Sequence, residues 1–80
     1  MTQDEFKAIT KASRKAKRIA SEKAMELHDL VEDRLPADYE SLPMLAEETY
    51  AACKKWAEAD AAFRLAEAEM NNSDQKTGSL

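Results

Sequence analysis

Apolar and small residues recur at alternating spacings of three and four in the first half of the chain, which is the period of one face of an α-helix. Thr2 followed by Glu5 has the spacing of a capping box, which marks where a helix begins. Leu35 precedes a proline, and a residue in that position is pushed out of helical geometry. The pattern therefore predicts a first helix over about residues 3–34. Its stripe comprises Phe6, Ile9, Ser13, Ala16, Ala20, Lys23, Leu27, Leu30 and Arg34.

A second stripe with the same spacing begins beside Pro43, and proline is tolerated in the first turn of a helix. This stripe predicts a second helix over about residues 42–71, with a loop at residues 35–41. Residues 73–80 have no apolar periodicity, and we expect them to form a flexible tail. The second stripe comprises Leu42, Leu45, Thr49, Ala52, Trp56, Ala59, Phe63, Ala66 and Met70.

The two predicted helices are joined by a short loop, and short loops make consecutive helices antiparallel neighbours. The sequence thus predicts one all-α domain over residues 1–72, built as a two-helix antiparallel hairpin. A single seam between two helices rarely offsets the entropy of ordering about 60 residues at about 1.5 kcal/mol each. We therefore expect two hairpins to pair as a homodimer, which would form a four-helix bundle.

Two further patterns bear on that dimer. Both stripes are wider than one seam needs. Tyr50, Cys53 and Ala57 flank the second stripe, and the first is flanked by Ala12, Ala24 and Val31, with Ile19 at its edge. The large apolar side chains lie mainly in the half of each helix next to the loop. We therefore expect the two copies to overlap through these loop-proximal halves.

The amino-acid composition limits the fold class but does not indicate a chemical activity. Apolar residues make up 44% of the chain and charged residues 35%, and one glycine and two prolines are too few for the many turns of a β-sandwich or barrel. The lone Cys53 excludes an internal disulfide framework and a zinc site made of cysteines, and we expect it to be a small buried apolar residue. No segment resembles a signal peptide or a membrane span, so we expect a cytoplasmic protein.

Charge is distributed unevenly about a net value of −4. Seven of the eight charged residues at 7–23 are basic, and eight of the nine charged residues at 26–48 are acidic. In an antiparallel hairpin, the basic residues of segment 7–18 would lie near Glu58, Asp60, Glu67 and Glu69, so we do not expect nucleic acid as the main partner. The candidate docking surface for a basic protein partner is the acidic loop end, which comprises Asp33, Asp38, Glu40, Glu47 and Glu48.

His28 is the one residue that suggests a metal site. His28 and Glu32 are four residues apart, so they share a helix face and can offer two ligands to one ion, with Asp29 adjacent. The ion would be Ni²⁺, Cu²⁺ or Zn²⁺, held by a pair of His28 side chains across a dimer axis. The simpler interpretation is an interfacial histidine hydrogen-bonded to a carboxylate.

The sequence offers no machinery for catalysis. It has no glycine-rich phosphate loop and no Ser-His-Asp set, and a di-iron bundle needs two Glu-x-x-His motifs where this chain has a single histidine. We therefore expect a protein that is not an enzyme and that requires no cofactor.

The middle of the chain carries a family resemblance. The segments KAMELHDLVED at 23–33, LPADYE at 35–40, LP at 42–43 and AEETY at 46–50 resemble the small NifX-associated nitrogen-fixation proteins. The resemblance covers about residues 20–66. It departs from the family pattern at Arg34, which stands as an extra residue before Leu35, and at Ala24.

The resemblance implies a hairpin like that of the plasmid copy-control protein Rop, which dimerises by helix packing. It also implies a role in nitrogenase assembly or maturation through a protein partner, and no known catalytic activity. Because the family motif has a histidine at the position of His28, it strengthens the hypothesis that His28 binds a metal ion or a partner. Two alternatives stay open: a weak metal-ion-binding protein that uses paired His28 side chains, and a Rop-like RNA binder.

Overall fold

The chain folds into two long antiparallel helices. The computed structural model describes residues 1–78, with side chains as far as Asn71. Helix α1 spans Gln3–Asp29 and helix α2 spans Leu42–Gly78. A π-helical turn at Leu30–Arg34 and a 3-10 turn at Tyr39–Ser41 lie between them, and no strand occurs in residues 1–78. The predicted all-α hairpin is therefore confirmed.

The capping signal at the start of α1 works as predicted. The hydroxyl oxygen of Thr2 accepts the backbone N–H of Glu5 at 3.1 Å, and the same hydroxyl donates to Glu5 Oε1 at 3.2 Å. One backbone N–H that the first turn would leave to solvent, that of Glu5, is thus satisfied, and Asp4 and Glu5 lie at the positive end of the helix dipole.

The end of the first helical segment differs from the expected regular helix. The α-helix ends at Asp29, and the following five residues form a wider π-helical turn in which the Leu35 N–H donates to the Leu30 carbonyl at 3.0 Å. Leu35 is extended, with ψ of 148°, as expected for a residue before proline. An apolar period of 3.6 does not reveal a single wider turn, so the sequence pattern could not predict it.

The seam between the helices contains the predicted stripes. Every position of the second stripe, and every position of the first except Arg34, is buried or half-buried. Leu30 has no exposed surface, and Ala66 is 1% exposed. Arg34 was wrongly placed, because it belongs to the π-helical turn and its side chain is exposed and paired with Asp38 at 3.8 Å.

Contacts near both ends of the seam fix the register of the helices. The rings of Phe6 and Phe63 stack with their centroids 5.9 Å apart near the open end. Towards the loop, the Thr49 hydroxyl lies 3.3 Å from the Lys23 carbonyl and 2.8 Å from the Leu45 carbonyl. The basic half of α1 is thereby held beside the second half of α2.

Helix α2 continues beyond its predicted end at residue 71. The backbone is helical to Gly78, so the tail expected at residues 73–80 is helical as far as it is described, and residues 79–80 lie outside the described residues. Asn and Ser each lower helix stability by less than about 1 kcal/mol, which is too little to end a helix.

Candidate functional site

One face of the hairpin presents uncharged side chains to solvent. We call it the open strip, and all of its members are exposed: Ala24, Val31, Ala46, Tyr50, Cys53 and Ala57. The four members on α2 are spaced at i, i+4, i+7 and i+11, which places them on one side of the helix. Tyr50 is 69% exposed and Val31 is 55% exposed. The expectation that Cys53 is buried was wrong for the single hairpin, because the strip lies beside the seam and not inside it.

The open strip borders a groove between the helices. Ala20, Ser21 and Ala24 of α1 and Cys53 and Trp56 of α2 line its uncharged part, a cavity of about 230 Å³ that also touches Lys17. The two helices therefore contribute to the same side of the hairpin. The groove continues towards the open end, where it is lined by charged residues of both helices: Arg14, Lys17, Asp60 and Arg64.

The basic face of α1 is the second surface feature, and it comprises Lys7, Lys11, Arg14, Lys15 and Arg18. Its predicted partners on α2 do not neutralise it. Asp60 pairs with Arg64 of its own helix at 2.8 Å, which raises the pKa of Arg64, and Glu69 pairs with the chain's N-terminal ammonium at 3.4 Å. Within the described side chains, the one ion pair of the basic face is Arg18 with Glu22 at 4.0 Å. Among the described side chains, the predicted charge complementarity between the basic face and α2 is therefore not realised as ion pairs.

The acidic loop end is the third feature, and its five carboxylates are not equivalent. Glu48 accepts a hydrogen bond from Lys23 across the seam at 3.0 Å. Hydrogen bonds to Glu48 and Glu26 raise the pKa of Lys23, because they favour its charged form. Asp38 accepts the Ser41 hydroxyl at 2.8 Å. Asp33, Glu40 and Glu47 are exposed, and among the described side chains they form no ion pair, so they are the carboxylates best placed to meet a partner.

His28 lies on the outer surface of α1, near the loop. Its Nε2 atom is 3.3 Å from Glu32 Oε2, and its Nδ1 atom is 3.9 Å from Asp29 Oδ1. His28 and Glu32 are each more than 60% exposed. The described residues contain no group of three or more His, Cys, Asp or Glu side chains that could hold a metal ion. One hairpin therefore offers a two-ligand site, and the predicted pairing of His28 across a dimer stays a prediction.

This geometry leads to a prediction for metal binding. Ni²⁺, Cu²⁺ or Zn²⁺ should shift the His28 ring resonances in NMR titrations, with the strongest effect from Cu²⁺, because these ions suit imidazole and follow a general order of affinity. Binding should be weak, since water must complete the coordination sphere, and acid should release the ion by protonating the imidazole. Glu32→Gln should weaken binding and Glu22→Gln should not. Metal-induced shifts of the backbone amide resonances around residue 28 that are equally large in His28→Ala would show that His28 is not the ligand.

Comparison with known proteins gives the family. The family model described as Rop-like matches residues 4–69, which includes nearly all of α1 and most of α2. The chain therefore belongs to the Rop-like family. Neither the search of curated proteins nor the search of solved structures found a match. Within residues 1–78, neither helix has an apolar stretch long enough to cross a membrane.

Proposed function

We propose that this protein is a self-associating accessory protein without catalytic activity, which acts by docking to other proteins and supports nitrogenase assembly or maturation. The observation that carries the docking role is the division of the surface into a basic face, an uncharged open strip and an acidic loop end. The setting in nitrogen fixation depends on the resemblance of residues 20–66 to the NifX-associated proteins.

The sparse core supports self-association. Leu30 is the one large side chain that is fully buried among the described residues, while Trp56, Phe63 and Leu45 are half-buried. A chain of this size gains little free energy of folding from so small a hydrophobic core. A second layer of helices is the usual way to complete such a core. Binding of a second copy would stabilise the folded hairpin by mass action.

The acidic loop end is the surface that we assign to the protein partner. Asp33, Glu40 and Glu47 lie in the π-helical turn, the 3-10 turn and the start of α2, and all three are exposed, so their negative potential reaches outward. Such a surface steers a basic patch of a partner, and the association rate should fall as salt screens the charges. The partner expected from this chemistry is a protein that presents lysines or arginines. The resemblance of residues 20–66, and not the charge, implies that this partner belongs to nitrogenase assembly.

The test uses a nitrogen-fixing host that carries this gene. Loss of the gene should lower nitrogenase activity, measured as acetylene reduction, and the unaltered chain should restore it. Glu40→Lys with Glu47→Lys should fail to restore activity. The matched control, Glu58→Lys with Glu67→Lys, makes the same change in net charge away from the loop and should restore it. Full activity without the gene would refute the nitrogen-fixation role, and equal rescue by both variants would refute the acidic surface.

One observation favours a second candidate function. The basic face is not neutralised by α2, so it can meet an anionic partner such as RNA. The net charge of −4 works against this function, because the acidic loop end repels the same polyanion. Binding of RNA that is lost with rising salt, and lost again in Lys11→Glu with Lys15→Glu, would support it.

A further inference from the structure

We propose that the groove between the helices near the open end of the hairpin binds a small organic anion that carries a planar ring. This groove, which we call the open-end groove, is a cavity of about 250 Å³ with walls from both α1 and α2. The proposal depends neither on self-association nor on the acidic loop end, which is a separate surface. The lining side chains that carry the argument are Ser13, Arg14, Lys17, Trp56, Phe63 and Arg64.

The open-end groove has an excess of positive charge. Its lining contains three cations, Arg14, Lys17 and Arg64, against one carboxylate, Asp60, so two positive charges are not compensated. Asp60 is already paired with Arg64 at 2.8 Å, whereas Arg14 and Lys17 form no ion pair among the described side chains. Guanidinium and ammonium groups in this state bind carboxylates and phosphates through charge-assisted hydrogen bonds. The charge of the groove therefore selects an anion.

Two aromatic rings give the groove an apolar part. Trp56 and Phe63 are seven residues apart on α2, so they lie on one side of that helix, and both are only half-buried. The ring of Phe63 is held by its stack on Phe6 at 5.9 Å. A planar ring of a ligand can pack against the remaining aromatic surface, which an inorganic anion would leave in contact with water. The ligand favoured by this lining has a ring as well as a charge.

Ser13 adds a hydrogen-bond donor that the fold itself does not use. Its side chain is 9% exposed, and it lines the groove. The hydroxyls of Thr10 and Thr49 each donate to the carbonyl four residues earlier at 2.8 Å, but Ser13 forms no hydrogen bond within the described residues. A polar group buried to this extent normally has a partner. An anion bound in the groove would accept the hydrogen bond of this hydroxyl.

The size of the groove limits the ligand to a small molecule. Pockets for drug-sized ligands have volumes of ~300–1,000 Å³, and the open-end groove is smaller. It suits one ring with one carboxylate or phosphate group. A polyanion would extend beyond the groove onto the basic face of α1, and its binding would therefore depend on Lys7 and Lys11 as well.

The test uses the fluorescence of Trp56, which is the one tryptophan of the chain and lines the groove. The probe is benzoate, which combines one ring with one carboxylate. We expect benzoate to change the fluorescence in a saturable way. Benzamide has the ring without the charge, and acetate has the charge without the ring, so both should require concentrations at least about tenfold higher. No saturable response to benzoate, or an equal response to benzamide or acetate, would overturn the proposal.

Matched variants separate the groove from the general positive charge of α1. Arg14→Gln with Lys17→Gln should raise the Kd for benzoate by about tenfold or more, and Ser13→Ala should raise it by about threefold or more. Lys7→Gln with Lys11→Gln removes the same charge from the exposed basic face outside the groove. In physiological salt this control should change the Kd by less than about twofold, because exposed charges are screened. Equal losses in the two double variants would overturn the assignment to the groove.

Backbone amide resonances locate the bound probe independently of any substitution. Benzoate should shift the amides of residues 10–17 and 56–64, which form the two walls of the groove. Shifts concentrated around the loop would overturn the proposal. Circular dichroism shows whether each variant keeps its helices, so a loss of binding can be distinguished from a loss of fold.

Discussion

Leu30→Ala should lower the free energy of unfolding by about 2–5 kcal/mol, the cost of emptying a buried leucine site. Leu30 has no exposed surface, and it lies where α1 gives way to the π-helical turn. Its carbonyl also accepts the Leu35 N–H, so a cavity at this position would loosen the turn that leads into the loop. Urea denaturation followed by circular dichroism would measure the loss.

Leu65→Ala is the matched control, because the chemistry of the substitution is the same and Leu65 is 74% exposed in the hairpin. We expect it to change stability by no more than about 0.5 kcal/mol, as for other surface substitutions. Both variants must be compared at one chain concentration, since self-association makes stability depend on it. Similar losses in the two variants would show that Leu65 is covered by another chain or that Leu30 is less tightly packed than the structure indicates.

The hairpin could be predicted from the sequence because its signals are local and repeated. The two stripes have the helical period, and Thr2 and Pro36 mark where the first helical segment begins and ends. Ser13 and Lys23 interrupt the first stripe with polar residues, yet both were placed correctly at the seam by spacing alone. Lys23 is tolerated there because it reaches Glu48 on the facing helix.

Features that depend on fine geometry could not be predicted. The π-helical turn widens the backbone by one residue per turn, and the apolar period around Leu30 contains no sign of it. The continuation of α2 past Asn71 depends on small propensity differences between polar residues. Long-range ion pairs were also misjudged, because opposite charges on two segments do not reveal which way each side chain points. Asp60 forms an ion pair with Arg64 of its own helix and not with a residue of the basic half of α1.

The candidate surfaces were visible in the sequence only in part. Tyr50, Cys53 and Ala57 stood out as apolar residues beside the second stripe, but Ala46 joins them only when the spacing is followed back to the start of α2. Which residues of the strip are exposed, and which charged residues border it, depends on how the two helices are rotated relative to each other. The sequence pattern does not give that rotation. The acidic loop end was evident from composition, whereas the pairing of Glu48 and Asp38 within the hairpin was not.

Ala66→Leu should also destabilise the hairpin, by about 1–3 kcal/mol, the usual cost of overfilling a packed site. Ala66 is 1% exposed and lies one turn beyond Phe63, whose ring stacks on Phe6. A leucine there would force the helices apart at the open end and disturb the aromatic stack. Ala61→Leu is the control, because residue 61 is exposed on the same helix and leucine is nearly as good a helix former as alanine. A lower thermal midpoint for Ala66→Leu, with Ala61→Leu unchanged, would confirm close packing at this end. Stabilisation by Ala66→Leu would show instead that the seam there has room for a larger side chain.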